Sequence, residues 1–250
     1  MAFRHEAADP SMHKQLSQGV KVKINSQDFR VRTGKRVELD QRPTAVERFF
    51  KSKEQYQELL EKHVEGLSSR QQLQYASGRH AVLLIFQGMD FITRVHPEIL
   101  DTQNLSKHSR DEKHFWRFRY RSIVEMEAHL HRNGTRIIKI FLHLSKKEQK
   151  KRFLERIDEP DKNWKFSSSD IHERKYWKDY MRAYGHCLAE TSTHHAPWYA
   201  VPADDKENAR LIVSQILMDA LDDLKMAYPK STRKRRRELQ AIGKHLAKSD

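Results

Sequence analysis

A single cysteine, Cys187, stands in 250 residues, which excludes a disulfide framework and any cluster of metal-binding thiolates. On its own it reads as a small, half-buried side chain on a helix. No apolar run approaches the length that a bilayer-spanning helix needs. The first residues mix His5, Glu6 and Asp9, where a secretory leader would carry an apolar core. The expectation is a cytoplasmic protein. What the chain has in excess is positive charge: 48 Lys and Arg against 34 Asp and Glu, formally +14 at neutral pH. That balance selects polyanionic partners (nucleic acid, nucleotides, inorganic polyphosphate or an anionic membrane) without choosing among them. Hydrophobic residues make up 37% and charged ones 33%, which is polar for a globular chain. Four Trp, eight Tyr and eleven Phe nevertheless argue against wholesale disorder.

No internal repeat is visible, and the organisation follows from periodicity. Residues 1–43 carry scattered charge, Pro10 and Pro43, and only weak alternation, which reads as an arm with a short hairpin. From Thr44 to Gly66, apolar residues recur mostly at three- and four-residue spacing and predict a helix, with a second short helix over 68–75. Gly78 then leads into the most hydrophobic run of the chain, Ala81 to Phe86, read as a fully buried strand. An amphipathic helix is expected over 109–130, with Trp116, Tyr120, Ile123, Glu127 and Leu130 on one stripe. Arg136 to Leu144 reads as a second buried strand. Ser145 with Glu148 forms a capping box opening a very basic helix that Pro160 ends. Helices are predicted from Ser167 to about Thr191 and from Asn208 to Tyr228, the latter capped by Asp204 and Asp205. Alternating helices and strands predict an α/β layered domain over 44–229. Residues 230–250, with the block Arg233 to Arg237, form a tail. It reads slightly better as a solvated terminus than as a nucleic-acid or polyphosphate contact.

The junction after the first strand lacks what its beginning promises. Gln87-Gly88-Met89-Asp90 opens as a phosphate-cradling loop does, yet Phe91-Ile92-Thr93-Arg94 follow, with no second Gly and no Lys. The Gly-Lys pairs of the chain, Gly34-Lys35 and Gly243-Lys244, do not follow a buried strand. His194-His195 lacks partner ligands at useful spacing and reads as a turn before Pro197-Trp198.

Arg94-Val95-His96-Pro97-Glu98, the run Phe141 to Phe166, Tyr176-Trp177-Lys178-Asp179-Tyr180, Thr191-Ser192-Thr193, Ala196-Pro197-Trp198-Tyr199 and Val201-Pro202-Ala203-Asp204 occur in this order. Together they resemble the polyphosphate kinase type 2 family over roughly residues 25 to 229. The resemblance implies a thymidylate-kinase-like P-loop fold, a three-layer arrangement of parallel sheet and flanking helices with a helical lid. It also implies transfer of phosphoryl groups between inorganic polyphosphate and nucleotides with Mg²⁺, in a homo-oligomer. In that family Gly-Met-Asp continues as Ala-Ala-Gly-Lys-Asp-Gly, and an Asn-Arg-Ser segment follows before Arg-Val-His-Pro. Here Asp90 runs straight into Phe91, so the fold is expected to be incomplete and turnover impaired. Asp90 is left as a remnant catalytic or Mg²⁺-binding residue. Lys151, Arg152, Arg156, Lys162 and Lys165 are expected to contact polyphosphate or nucleotide from the lid. Arg152 and Arg156 share a helix face, although Arg156 could equally pair with Asp158 or Glu159. The alternatives are a polyanion-binding or subunit-interaction protein without turnover, and nucleic-acid binding through the basic tail.

Overall fold

The computed structural model describes residues 23–87, 92–103, 112–164 and 167–247. Three parallel strands, β1 (Ala81–Phe86), β2 (Thr135–His143) and β3 (Trp198–Pro202), form a sheet in the order β1-β2-β3. Helix α1 (Lys53–Ser77) precedes β1, and α2 (Ile92–Val95) and α3 (Glu112–Arg132) lie between β1 and β2. Between β2 and β3 come α4 (Lys146–Asp158), α5 (Pro160–Asn163), α6 (Ser168–Glu173) and α7 (Trp177–Thr191). Helices α8 (Lys206–Asp222) and α9 (Arg233–Leu246) end the chain.

Side chains of a strand alternate between faces, and β2 divides the core accordingly. Ile138 and Ile140 pack with Tyr199 and Val201 of β3 against Leu211, Ile212 and Ile216 of α8, with Tyr56 of α1 beyond. Phe141 packs on the other face with Trp198, Ala200 and Leu188 of α7. Burying one such aliphatic or aromatic side chain stabilises by about 1.5–3 kcal/mol, so the cluster of β2, β3, α8 and α1 contributes substantially to stability.

Several expectations need correction. Residues 23–43 form no hairpin. They carry short 3-10 turns at Ser26–Phe29 and Leu39–Gln41 and bury Val31, Val37 and Leu39 in the core. That segment can lie against α7 because Gly185 has no side chain: a Cβ there would sit 2.5 Å from the Val37 carbonyl oxygen. Residues 44–50 are not helical. Asn208 pins them by accepting from the Phe49 N–H at 3.2 Å and donating to the Val46 and Glu47 carbonyls. The helix begins instead after Ser52, whose hydroxyl caps the Gln55 N–H, and runs unbroken through Gly66. A Cβ at Gly66 would come to 3.0 Å from Met218 Sδ, so glycine there serves helix packing rather than helix termination. Gly78 closes α1 in the left-handed conformation, at φ +60.

β1 forms where expected but is not buried. It is an outer strand with Leu83 37% and Phe86 48% exposed. Ser145 caps α4 at Glu148 N–H, but the Glu148 carboxylate turns to Arg152, so only half of the capping box is made. The full box appears at α6, between Ser167 and Asp170. α8 stops at Asp222, short of Tyr228, and residues 233–246 are the helix α9 rather than a frayed end. Cys187 is fully buried in α7.

Candidate functional site

In parallel α/β sheets ligands bind outside the carboxyl ends of the strands, and the described residues leave a broad cleft there. It has a volume of about 1420 Å³ and runs between residues 33–44, the start of α4 and the length of α7. Lys35, Arg36, Arg42, Lys146, Lys178 and Arg182 line it, against the carboxylates of Glu38, Asp40 and Glu190. Arg36 is engaged by Glu38 at 3.0 Å and Arg182 by Asp179 at 3.3 Å. His143, at the end of β2, faces the cleft and meets the Pro43 carbonyl at 3.2 Å; burial pushes its imidazole pKa down. The cleft is therefore a basic groove, suited to an extended anion.

The turn between β3 and α8 anchors one end of this groove. Asp205 caps α8 through the Glu207 and Asn208 N–H groups and pairs with Arg48 at 2.7 Å. Asp204 does not cap α8. It accepts from the Ser145 N–H at 2.7 Å and the Thr44 hydroxyl at 2.8 Å, tying the base of α4 to the N-terminal segment. Arg152 adds to the same knot: it donates to the Ala203 and Asp204 carbonyls at 2.6 and 3.3 Å and pairs with Glu148 at 3.0 Å. Arg152 therefore clamps α4 in place.

The other residues expected in the lid do not converge. Lys151 is exposed and meets Glu155 at 3.8 Å. Arg156 is exposed on α4. Lys162 falls in α5, but its side chain lies outside the described residues, as do Lys165 and Asp90 altogether. α4 buries none of its residues, and Leu154 and Ile157 are 53% and 43% exposed. Arg174 stitches α4 to the segment before α7 by donating to the Lys146 carbonyl at 3.3 Å and lying over the Phe153 ring.

Two motifs far apart in sequence meet beside the groove. His96, just after α2, places Nε2 2.8 Å from the Glu173 carboxylate and Nδ1 3.1 Å from Glu98. The Tyr180 hydroxyl donates to the same Glu173 oxygen at 2.7 Å, and Tyr176 packs edge-on against the His96 ring. Glu173 holds the His96 imidazole above its ordinary pKa, and the bonds from Tyr180 and His96 hold the Glu173 carboxyl below its own. Arg94 donates to the Tyr120 hydroxyl and lies over the Trp116 ring at 5.4 Å. Burial pushes the Tyr120 phenol up to about 12, against the pull of Arg94. The sequence marked Arg94–Glu98 and Tyr176–Tyr180 separately; Glu173, which joins them, carried no signal of its own.

The Polyphosphate kinase 2 family model matches residues 105–229. The chain belongs to the polyphosphate kinase 2 family. An ADP-polyphosphate phosphotransferase from Rhodopseudomonas palustris is 46% identical over 289 aligned positions, covering 91% of this chain and 100% of the relative. An AMP/ADP-polyphosphate phosphotransferase from Meiothermus ruber is 33% identical over 65% of this chain and 80% of that protein. The crystal structure of polyphosphate kinase 2 from Arthrobacter aurescens superposes with a TM-score of 0.69 and 28% identity, covering 88% of this chain and 96% of that one. The alignment to the Rhodopseudomonas relative is longer than this chain, so the relative holds sequence with no counterpart here. As a family, polyphosphate kinases typically use a divalent metal. Among the described residues no three His, Cys, Asp or Glu side chains gather in a way that could hold one.

Proposed function

We propose that this chain takes the substrate classes named for its relatives, inorganic polyphosphate and nucleoside phosphates such as ADP, but transfers phosphoryl groups between them poorly or not at all. The observation that carries this reading is the junction after β1. Phe86 ends the strand and Ile92 begins α2, so residues 87–91 alone span the gap. A phosphate loop needs glycines that let backbone N–H groups approach the phosphates and a lysine that neutralises them. We place the loss of that loop, and of the Asn-Arg-Ser segment after it, at Asp90/Phe91; the extra aligned sequence in the Rhodopseudomonas relative supports this. Phosphoryl transfer rests on positioning and charge stabilisation, and one preorganised contact is worth about 3 kcal/mol at the transition state.

The test is ATP formation from polyphosphate, ADP and Mg²⁺, with the Rhodopseudomonas relative assayed alongside. Rates below about a thousandth of the relative's are expected, since several such contacts are missing together. Rates within tenfold of the relative's would sink the inactivity.

A second reading, polyanion binding without turnover, draws on the six cationic side chains of the groove. Lys151, Arg156, Lys162 and Lys165 would then contact the same polyanion, with Asp90 a remnant metal ligand. Polyphosphate affinity should fall with salt and with Lys35→Ala and Lys178→Ala. Affinity unmoved by either would remove this reading. A cytoplasmic homo-oligomer fits both readings; nucleic acid is the less favoured ligand.

A further inference from the structure

Helix α9 has no place in the phosphotransferase reading. It runs for 14 residues from Thr232, whose hydroxyl caps the Arg235 N–H at 3.1 Å, and buries none of its residues. An isolated helix of that length is marginal in water. Its charge makes matters worse: Arg233, Lys234, Arg235, Arg236 and Arg237 occupy the N-terminal turns, where positive charge opposes the helix dipole. One carboxylate, Glu238, answers them, at 3.3 Å from Arg235. Further along, Leu239, Ile242 and Leu246 recur at three- and four-residue spacing and so form one stripe, 46%, 50% and 66% exposed. Arg233, Arg237 and Lys244 fall on the opposite side of the helix.

We propose that α9 lies on an anionic lipid bilayer, with Leu239, Ile242 and Leu246 entering the headgroup boundary and the basic block facing acidic headgroups. Each feature of the helix is then accounted for. Acidic lipids offset the cations that destabilise the first turns, and the acyl boundary covers the apolar stripe. Polyphosphate or nucleic acid would neutralise the cations and leave the stripe in water. A second α9 would cover the stripe and leave the basic block without anionic partners. No helix among the described residues is long and apolar enough to cross a membrane, so the contact is peripheral.

The experiment is co-sedimentation of the full chain with phosphatidylcholine vesicles, with and without phosphatidylserine. Binding is expected to the phosphatidylserine vesicles and to weaken as salt rises. The double variant Ile242→Ser, Leu246→Ser keeps every cation and lies outside the core. It should lose vesicle binding by about tenfold or more while keeping wild-type affinity for polyphosphate. The double variant Arg236→Glu, Arg237→Glu should also lose vesicle binding. The proposal is overturned if the wild-type chain ignores phosphatidylserine vesicles. It is equally overturned if the serine variant binds them as the wild type does, which would leave a charge contact open to any polyanion.

Discussion

Strands β1 and β2 run side by side in register, Ala81 against Thr135 through Phe86 against Ile140, yet their chemistry and their burial are crossed. β1 is entirely apolar, and each of its residues is exposed or only partly covered. β2 carries Arg136, Lys139 and His143, and five consecutive residues, Ile137 to Phe141, are buried. Burial here follows from what covers a strand: α8 on one face of β2, α3 and α7 on the other, and a strand at each edge. Among the described residues β1 has a strand at one edge only. As the outermost strand of the described sheet, β1 lacks the charges and prolines that usually guard an edge.

The largest effect should come from the charge inside β2. Lys139 is 1% exposed and donates to both oxygens of Glu127, at 2.8 and 2.7 Å, and to the Thr191 carbonyl at 2.7 Å. Its ammonium also lies 5.3 Å from the Trp198 ring centroid. Burial pushes the Glu127 carboxyl up and the Lys139 ammonium down, and their mutual attraction opposes both shifts. Removing one partner strands a buried charge, so Lys139→Ala should cost about 3–5 kcal/mol in denaturant unfolding. The double variant Lys139→Met, Glu127→Leu should recover most of that. A single variant within 1 kcal/mol of wild type would mean that water reaches the pair.

How much of this was legible follows the same division. Periodicity located both strands to within a residue or two, and Glu127 lay on the predicted stripe of α3, because short-range spacing is a property of the chain itself. The partner of Glu127 was invisible, since the contact to Lys139 depends on how α3 crosses β2. β1 misled for the same reason: an apolar run reports what a strand prefers, not what lies over it. In α4, local spacing put Arg152 and Arg156 on one face, and tertiary contact then tied Arg152 to the β3–α8 turn. Gly66 and Gly185 show the limit again, for both are explained by an opposing element rather than by the backbone at their own position.

A truncation pair tests the strand comparison directly. Ile137 is fully buried and Leu83, its register partner, is 37% exposed. Ile137→Ala should cost about 2–5 kcal/mol, and Leu83→Ala less than about 1 kcal/mol. Equal costs would mean that another molecule covers β1 in solution, and the Leu83 effect should then depend on protein concentration.

The smallest effect is a pH dependence at the tie between His96 and Glu173. The His96 pKa lies above 6.5 and the Glu173 pKa below 4.5, each relative to its unfolded value. Stabilisation from a raised histidine is complete below about pH 6.5 and is lost as pH rises through the higher folded pKa. Stabilisation from a depressed carboxylate is complete above about pH 4.5 and is lost as pH falls through the lower folded pKa. The tie is thus fully made between those limits. The Glu173 side chain is 40% exposed, so solvent screens the pair. His96→Gln should lower Tm by about 1–3 °C within that window. The difference should shrink toward pH 9. If it stays constant across the range, His96 acts there through its packing on Tyr176, and its charge contributes nothing to the tie.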